Sequence, residues 1–436
     1  MRIAVVGAGV SGLVAARLLH RKHEIDVFEA GPYAGGHSNT VEARVGGVTL
    51  PVDTGFIVFN ERTYPLFCRL LKGLGVAWKD SDMSFSARIE RSGMEYCGDG
   101  FGGLFAQRRN LLRIGHWRMV RDILRFYREA RAVLDEGEAD GSGDMGGGTL
   151  GEYLRKHRYS RAFIDDHLVP MAAAVWSADP VGILDFPVRT FVRFFANHGF
   201  LEVDDRPQWL TVVGGSREYV RVLIEPFRER VHLSTPVRAV RRTPDGPRLT
   251  LRDGREVDYD AVVMATHSDT ALHLLADADD DERAIVGAVP YQRNTAVLHT
   301  DARLLPRTRA TWSSWNYHVP DQPTRVATLT YWMNRLQGLE TPEPLLVSLN
   351  RDDEIDPARV LARMEYDHPV FTVAAVRAQQ RRAEIQGRNN TWWCGAWWGY
   401  GFHEDGARSG VEVGEALGES LDQALAAPMQ PQGATA

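Results

Sequence analysis

Gly7, Gly9 and Gly12 form a GxGxxG run that follows the apolar residues 2–6 and opens a helical pattern, with Glu29 ending the next β-type run. That spacing suits the binding of a dinucleotide. Gly7 permits the tight turn, Gly9 lets backbone approach a pyrophosphate, and Gly12 lets helix pack on strand. Val10 and Ser11 lie in the first helical turn, where unpaired amides and the helix dipole attract phosphate. Glu29, followed by Ala30, would accept hydrogen bonds from ribose hydroxyls. A second glycine turn, Gly35 and Gly36 with His37 after it, comes shortly behind that carboxylate. A short dinucleotide has no need of it, whereas a longer one does, so the expected cofactor is FAD.

These residues need a frame. RIAVV, a glycine turn, VSGLVAARLLHRK and IDVFEA read as a βαβ unit of the usual length. After Phe59 the pattern becomes helical, and it returns to strand and helix at VVGGSREYVRVLIEPF, STPVRAV and AVVMATHSDT, where Ala265 and Thr266 end a buried run. A last return comes at TWWCGAWWGYGFHEDGARSGVEVGEAL. The predicted fold class is α/β, a Rossmann-like FAD-binding domain with a discontinuous α+β substrate domain. The FAD-binding part is assigned residues 1–58, 205–286 and 383–427, and the substrate part 59–204 and 287–382. Residues 136–148 read as a flexible loop and 428–436 as a frayed tail.

Composition narrows the function. A chain of 436 residues, 44% hydrophobic and 25% charged, can bury a large cofactor, and no apolar run is long enough to span a membrane. A net charge of −6 gives no global reason for nucleic-acid binding. Cys68, Cys97 and Cys394 lack CxxC spacing, which argues against disulfides, zinc or a dithiol redox site. The N-terminus lacks a secretory pattern, so the expected location is cytoplasmic. No metal is expected.

VVGAGVSGLVAARLL, EAGPYAGGHSNT, VDTGFIVFNERTYP, WLTVVGGSREYV, WSSWNYHVP and WWCGAWWGYGFHEDGARSGVEVGEAL together resemble a bacterial group of NAD/FAD-binding proteins in the flavin amine oxidase and phytoene desaturase superfamily. The resemblance covers nearly the whole chain and implies the amine oxidase/glutathione reductase-2 type of fold. It further implies that Val237 contacts adenine through its backbone and that Gly55 and Phe56 form the turn approaching the flavin. Gly395 and Ala396 would lie near the ribityl chain, and Glu404, Asp405 and Gly406 would feed the last helix. His37 stands where the superfamily usually has Arg, and Cys394 matches a small-residue position, so FAD is expected to be noncovalent.

The resemblance also places Phe402 facing the flavin. Tyr400 and His403 join it as catalytic candidates, His403 for tuning or proton transfer. Asn316, Tyr317, Tyr331, Trp332 and Trp398 are the candidate substrate wall. No lysine follows Lys156, which argues against transferring an amine oxidase mechanism that uses one. Members of the resembled group are associated with cyclopropane or methyl fatty-acid synthases, which implies an acyl-chain desaturase passing electrons to oxygen or a quinone. The rival readings are an amine or amino-acid oxidase, a flavin-dependent double-bond isomerase, and a non-catalytic flavin-binding scaffold or sensor. Within residues 110–134, Arg118, Arg121, Arg125 and Arg128 would form one helical stripe beside Val120, Ile123, Leu124, Phe126, Tyr127 and Ala130, a pattern that suits peripheral membrane contact.

Overall fold

The computed structural model describes residues 1–139, 147–202 and 206–426. A five-stranded parallel sheet forms the frame, in the spatial order Thr391–Trp393, Ala261–Met264, Arg2–Val6, Glu24–Phe28, Val231–His232. The central strand is buried from Ile3 to Val6, which explains why it reads as a continuous apolar run and not an alternating one. Its neighbours come from three distant parts of the chain, so residues far apart in sequence meet at one carboxyl edge. A three-stranded antiparallel sheet, Val237–Thr243, Gly246–Leu251 and Glu256–Asp258, stands beside this frame.

The helix Val10–Leu19 is buried along its whole length. It is crossed by the helix His403–Ala416, and glycines every fourth residue make the approach possible. A Cβ at Gly406 would lie 2.6 Å from Val10 Cγ1, and one at Gly410 or Gly414 would press on the Ser11 carbonyl or on Leu18. Residues four apart lie on one helix face, so the three glycines form a single groove for the first helix.

A seven-stranded sheet makes the second layer. Its order is Val360–Pro369, Tyr291–His299, Leu346–Leu349, Leu329–Trp332, Trp315–Val319, Phe85–Ile89, Met94–Cys97. All pairings are antiparallel except that of Trp315–Val319 with Phe85–Ile89. Strands from both sides of residue 204 are therefore hydrogen-bonded into one sheet. Helices from the intervening chain pack beside it: Val169–Trp176 lies against the strand Trp315–Val319, and Val188–Asn197, whose Phe191, Phe194 and Phe195 are buried, packs on neighbouring helices.

Two sequence expectations are revised here. The long helical pattern near residues 107–134 is broken into a 3₁₀ turn, Arg108–Leu112, and helices Ile114–Glu129 and Ala132–Ala139. The last of these enters the segment read as a flexible loop, because AVLDEGEA, with a single glycine, continues the helix to Ala139; residues 140–146, and the tail 428–436, lie outside the described residues. No helix among the described residues is long and apolar enough to cross a membrane.

Candidate functional site

At the carboxyl edge of the parallel sheet a cavity of about 410 Å³ opens, lined from both layers. Its first end is the glycine turn. Gly7 has φ +110°, and a Cβ there would sit 2.7 Å from the Ala265 carbonyl oxygen, so no other residue fits without strain. Gly9 is different. Its backbone is extended and a Cβ would have no atom within 4 Å, so its missing side chain leaves space that belongs to the cavity. The helix behind it has no side-chain cap, and Val10 and Ser11 line the space with the amides that an uncapped helix start leaves unpaired.

Glu29 is fixed by two amides, Ala8 N at 3.0 Å and Gly31 N at 2.8 Å, one to each carboxylate oxygen. A carboxylate has about four acceptor positions, so both oxygens keep capacity for a vicinal diol. The second glycine turn folds onto the first through Gly35 N to Ala8 O at 2.7 Å. His37, next in line, is half-buried against the cavity, and its buried Nε2 has no hydrogen-bond partner among the described residues. Its ring lies 5.2 Å from His368 and 5.9 Å from His267. Burial, with neighbouring imidazoles, holds His37 well below the ordinary histidine range and His368 at about 4, so all three are neutral donors or acceptors at pH 7.

Open space at Gly9, spare acceptors on Glu29 and an orphan ring nitrogen at His37 are what a pyrophosphate-linked dinucleotide with an adenosine ribose would fill. Gly55 and Phe56 continue the same path. A Cβ at Gly55 would collide with the His37 carbonyl oxygen, which instead accepts from Phe56 N at 2.7 Å. Ala265, Thr266, Gly395 and Ala396 line the opposite side. The profile of the flavin-containing amine oxidoreductases matches residues 10–417.

The chain belongs to the flavin-containing amine oxidoreductase family. FAD is the cofactor of that family, and the residues described fit it. A relative from Mycobacterium tuberculosis named as a flavin-containing monoamine oxidase is 27% identical over 270 residues, 58% of this chain and 54% of that protein. The chain thus aligns with about half the length of the curated relative it matches. In fold it is similar to cyclohexylamine oxidase from Brevibacterium oxydans, with TM-score 0.62, 16% identity and 95% and 99% of the two chains covered. It is also similar to a fatty acid isomerase from P. acnes that produces CLA, with TM-score 0.64, 15% identity and 95% and 97% covered.

Past Phe56 the cavity changes character. Met83, Val175, Phe194, Phe200, Trp209 and Tyr331 form its wall, with His198 and Trp315 among them. Phe402 lines it and stacks on Phe194 at 5.0 Å. His403 lies under Phe56, ring centroids 3.5 Å apart and nearly parallel. Its Nε2 is 2.8 Å from Ser38 Oγ and 3.2 Å from the Tyr219 hydroxyl, and those two hydroxyls also bond each other. Burial pushes His403 to about 3, so it is a neutral imidazole tied into a hydroxyl network.

Several expected site residues lie elsewhere. Gly12 lies on the inner face of the helix Val10–Leu19, packed on Gly7 and Ala265. Ala30 and Val237 stay outside the lining, although the Glu29 carbonyl accepts from Thr235 N nearby. Glu404 accepts from Leu66 N and Phe67 N and so caps the helix Pro65–Gly73, while Asp405 accepts from Tyr400 N and Phe402 N. Both carboxylates position chain and do not face the cavity; Gly406 is the packing glycine described above. Tyr400 packs on Phe194 behind the wall.

Of the substrate candidates only Tyr331 lines the cavity. Asn316 is locked into Ser86, Ser313 and Thr330, Tyr317 is buried in the core, Trp332 donates to Asn334, and Trp398 stacks on Trp397. The neighbouring strand position, Trp315, is the one that reaches the cavity, against Tyr331 at 5.1 Å. The missed wall of Phe194, His198 and Phe200 had a signal in the aromatic run of FVRFFANHGF. Ser38, Tyr219 and His368 had none, since each gains its place only through tertiary contact. Cys394 is fully buried and its thiol is pushed up to about 12, which leaves it protonated and unreactive.

The carboxylate of Glu29 gives a direct test. Glu29→Ala removes the charged acceptor, an interaction worth about 1.5–3 kcal/mol per hydrogen bond, so FAD affinity should fall by roughly 10- to 100-fold. Titration by flavin fluorescence should show FMN, which lacks adenosine, unaffected by the change. An equal loss for both would remove Glu29 from the ribose contact.

Proposed function

We propose that this protein is an FAD-dependent oxidoreductase that dehydrogenates a hydrophobic substrate, with an acyl chain as the class its cavity suits best. The observation that carries this reading is the wall beyond Phe56, which is aromatic and aliphatic. The only carboxylates among the cavity residues are Glu29, at the glycine turn, and Asp367, beside His267 and Tyr291. A flexible methylene chain gains free energy from every buried CH₂ in such a wall, about 0.8 kcal/mol each. When bound, the flavin supplies the hydride acceptor.

The chain's own residues hold, orient and dry the reacting carbon. Asp405 fixes Tyr400 N and Phe402 N, so the Phe402 ring stays on Phe194 and narrows the cavity opposite Phe56. His403 stays neutral, and its contact with Ser38 and Tyr219 offers a route for a proton that needs no buried charge. Oxygen or a quinone is the electron acceptor in this reading. Family membership supports amine oxidation as the second reading, in which a neutral amine would lie between the same aromatic faces.

Anaerobic mixing of the FAD-loaded protein with bacterial lipid extracts and with an amine panel separates the two. Acyl lipids are expected to bleach the oxidised flavin band and to yield a product poorer by a pair of hydrogens. Bleaching by amines alone would replace the acyl reading with the amine one. An unchanged product mass with a moved double bond would make the protein an isomerase.

A further inference from the structure

Thirteen large hydrophobic side chains are exposed among the described residues, and six of them, Phe101, Leu111, Leu112, Ile114, Trp117 and Leu124, fall within two dozen positions. Leu112 is 88% exposed, Ile114 71% and Phe101 62%. They form one surface. Phe101 and Trp117 both pack on Phe105, with ring centroids 4.5 and 4.7 Å away, and Trp117 Nε1 donates to the Leu111 carbonyl at 2.9 Å, tying the 3₁₀ turn to the helix behind it. On that helix Ile114, Trp117, Arg121 and Leu124 share the outer face, while His116, Met119, Asp122, Ile123 and Phe126 are buried.

The same stretch is strongly basic. Residues 100–128 contain seven arginines and one acidic residue, the buried Asp122, in a chain whose net charge is −6. Arg108 and Arg118 are exposed and make no ion pair among the described residues, and Arg109 and Arg113 donate to the backbone carbonyls of Gly93 and Ser92. None of the four ion-pairs with a carboxylate among the described residues, although Arg108 and Arg109 share a shallow cavity with Glu90, Glu95 and Asp321.

We propose that this surface docks on an anionic phospholipid bilayer, with Leu112, Ile114, Trp117 and Phe101 inserted among the acyl chains and Arg108 and Arg118 at the headgroups. The pairing of apolar tips with arginine is what an interfacial helix presents to lipid. Charge selects the occupant. A second copy meeting the same face across a two-fold axis would bring the arginines without an ion pair, Arg108, Arg109, Arg113 and Arg118, toward their own copies, whereas an anionic headgroup layer attracts each exposed arginine about fivefold. The lipid-facing residues are not those that an ideal helix suggests: Ile123, Phe126 and Ala130 are buried in the core, and the insertion comes from the turn before the helix and its first turns. Docking of this face does not depend on which substrate the cavity takes.

Flotation of the FAD-loaded full chain with phosphatidylcholine vesicles and with vesicles containing phosphatidylglycerol tests it. Binding should be about 25-fold stronger to the phosphatidylglycerol vesicles and should weaken with salt. Leu112→Asp with Ile114→Asp, and separately Arg108→Glu with Arg118→Glu, should each lower it by about tenfold, with flavin absorbance and thermal midpoint unchanged because the side chains are exposed. Three outcomes would overturn the proposal: a folded, flavin-loaded chain that stays off the phosphatidylglycerol vesicles; undiminished binding by the Asp variant; or a dimer in solution that Leu112→Asp dissociates, which would make this a self-association face.

Discussion

Gly9→Val is expected to yield a folded, colourless protein, and Gly12→Val a protein that does not reach its native stability. The two glycines stand three residues apart in one motif, yet their surroundings differ. A Cβ on Gly9 meets nothing within 4 Å, and its backbone, φ −76° and ψ 177°, is open to any residue. The apo stability of Gly9→Val should therefore change by no more than about 0.5 kcal/mol. The valine side chain fills the space left for the pyrophosphate, so FAD affinity should drop by at least about 100-fold, equivalent to about 2.7 kcal/mol. A Cβ on Gly12 overlaps the Gly7 carbonyl oxygen and comes to 2.9 Å from Ala265 Cβ, each directly after the end of a buried sheet strand. Forced apart, helix and strand should lose about 3 kcal/mol with or without cofactor. Thermal unfolding with and without added FAD distinguishes these effects, because a cofactor that binds only the native state raises the midpoint. If Gly9→Val kept the full FAD-dependent rise, the turn at Gly9 would not be the pyrophosphate cradle.

That contrast marks how far local sequence reaches. The βαβ opening was legible because its signals lie within some thirty residues of each other: an apolar run, glycines at fixed offsets and a carboxylate at the next strand end. The returns of the chain at Ala261–Met264 and Thr391–Trp393 were legible for a related reason, since a buried parallel strand is a continuous apolar stretch wherever it falls. The seven-stranded sheet was not. Its one parallel pairing joins Trp315–Val319 to Phe85–Ile89 across more than two hundred residues, and nothing in either segment names the other.

At the cavity wall a small error becomes a large one. Successive strand residues point to opposite faces, so naming Asn316 and Trp332 instead of Trp315 exchanges the cavity face for the buried network behind it. Trp315 and Tyr331 are register partners on the correct face, and only the pairing reveals that. The acidic residues of HEDG carried a similar ambiguity. A helix start attracts carboxylates whether or not a phosphate is near, and Glu404 and Asp405 bind backbone amides of this chain instead. Packing glycines at 406, 410 and 414 belong to the same helix and do more for the cofactor site than its carboxylates, because they let that helix settle against the one behind Gly9.

Acid should destabilise this protein while most of its carboxylates are still ionised. Burial lowers His403 and His167 to about 3, and His198, His299 and His368 to about 4. Below about pH 6.5 the unfolded chain takes up a proton at each of these positions while the native chain does not, so native stability falls as pH falls, by about 1.4 kcal/mol per unit for each histidine. Asp53, Asp166 and Asp405 act in the opposite sense. Burial raises each to about 6, so the native form binds its proton first and gains stability between pH 6 and 4. From pH 7 to pH 5 each histidine costs about 2 kcal/mol and each aspartate returns about 1 kcal/mol, and the histidines are more numerous. The net loss is several kcal/mol, a large fraction of the stability of an ordinary domain. Urea unfolding of the FAD-free chain at a series of pH values measures it. His198→Leu should flatten the slope between pH 6.5 and 5 by about 1.4 kcal/mol per unit, since the His198 ring is stacked on Phe194 and has only the Phe194 carbonyl as partner. A stability that held constant or rose from pH 7 to pH 5 would mean that the native state opens to protonate these rings, and the neutral imidazoles drawn around the cavity, His403 among them, would then be charged at mildly acidic pH.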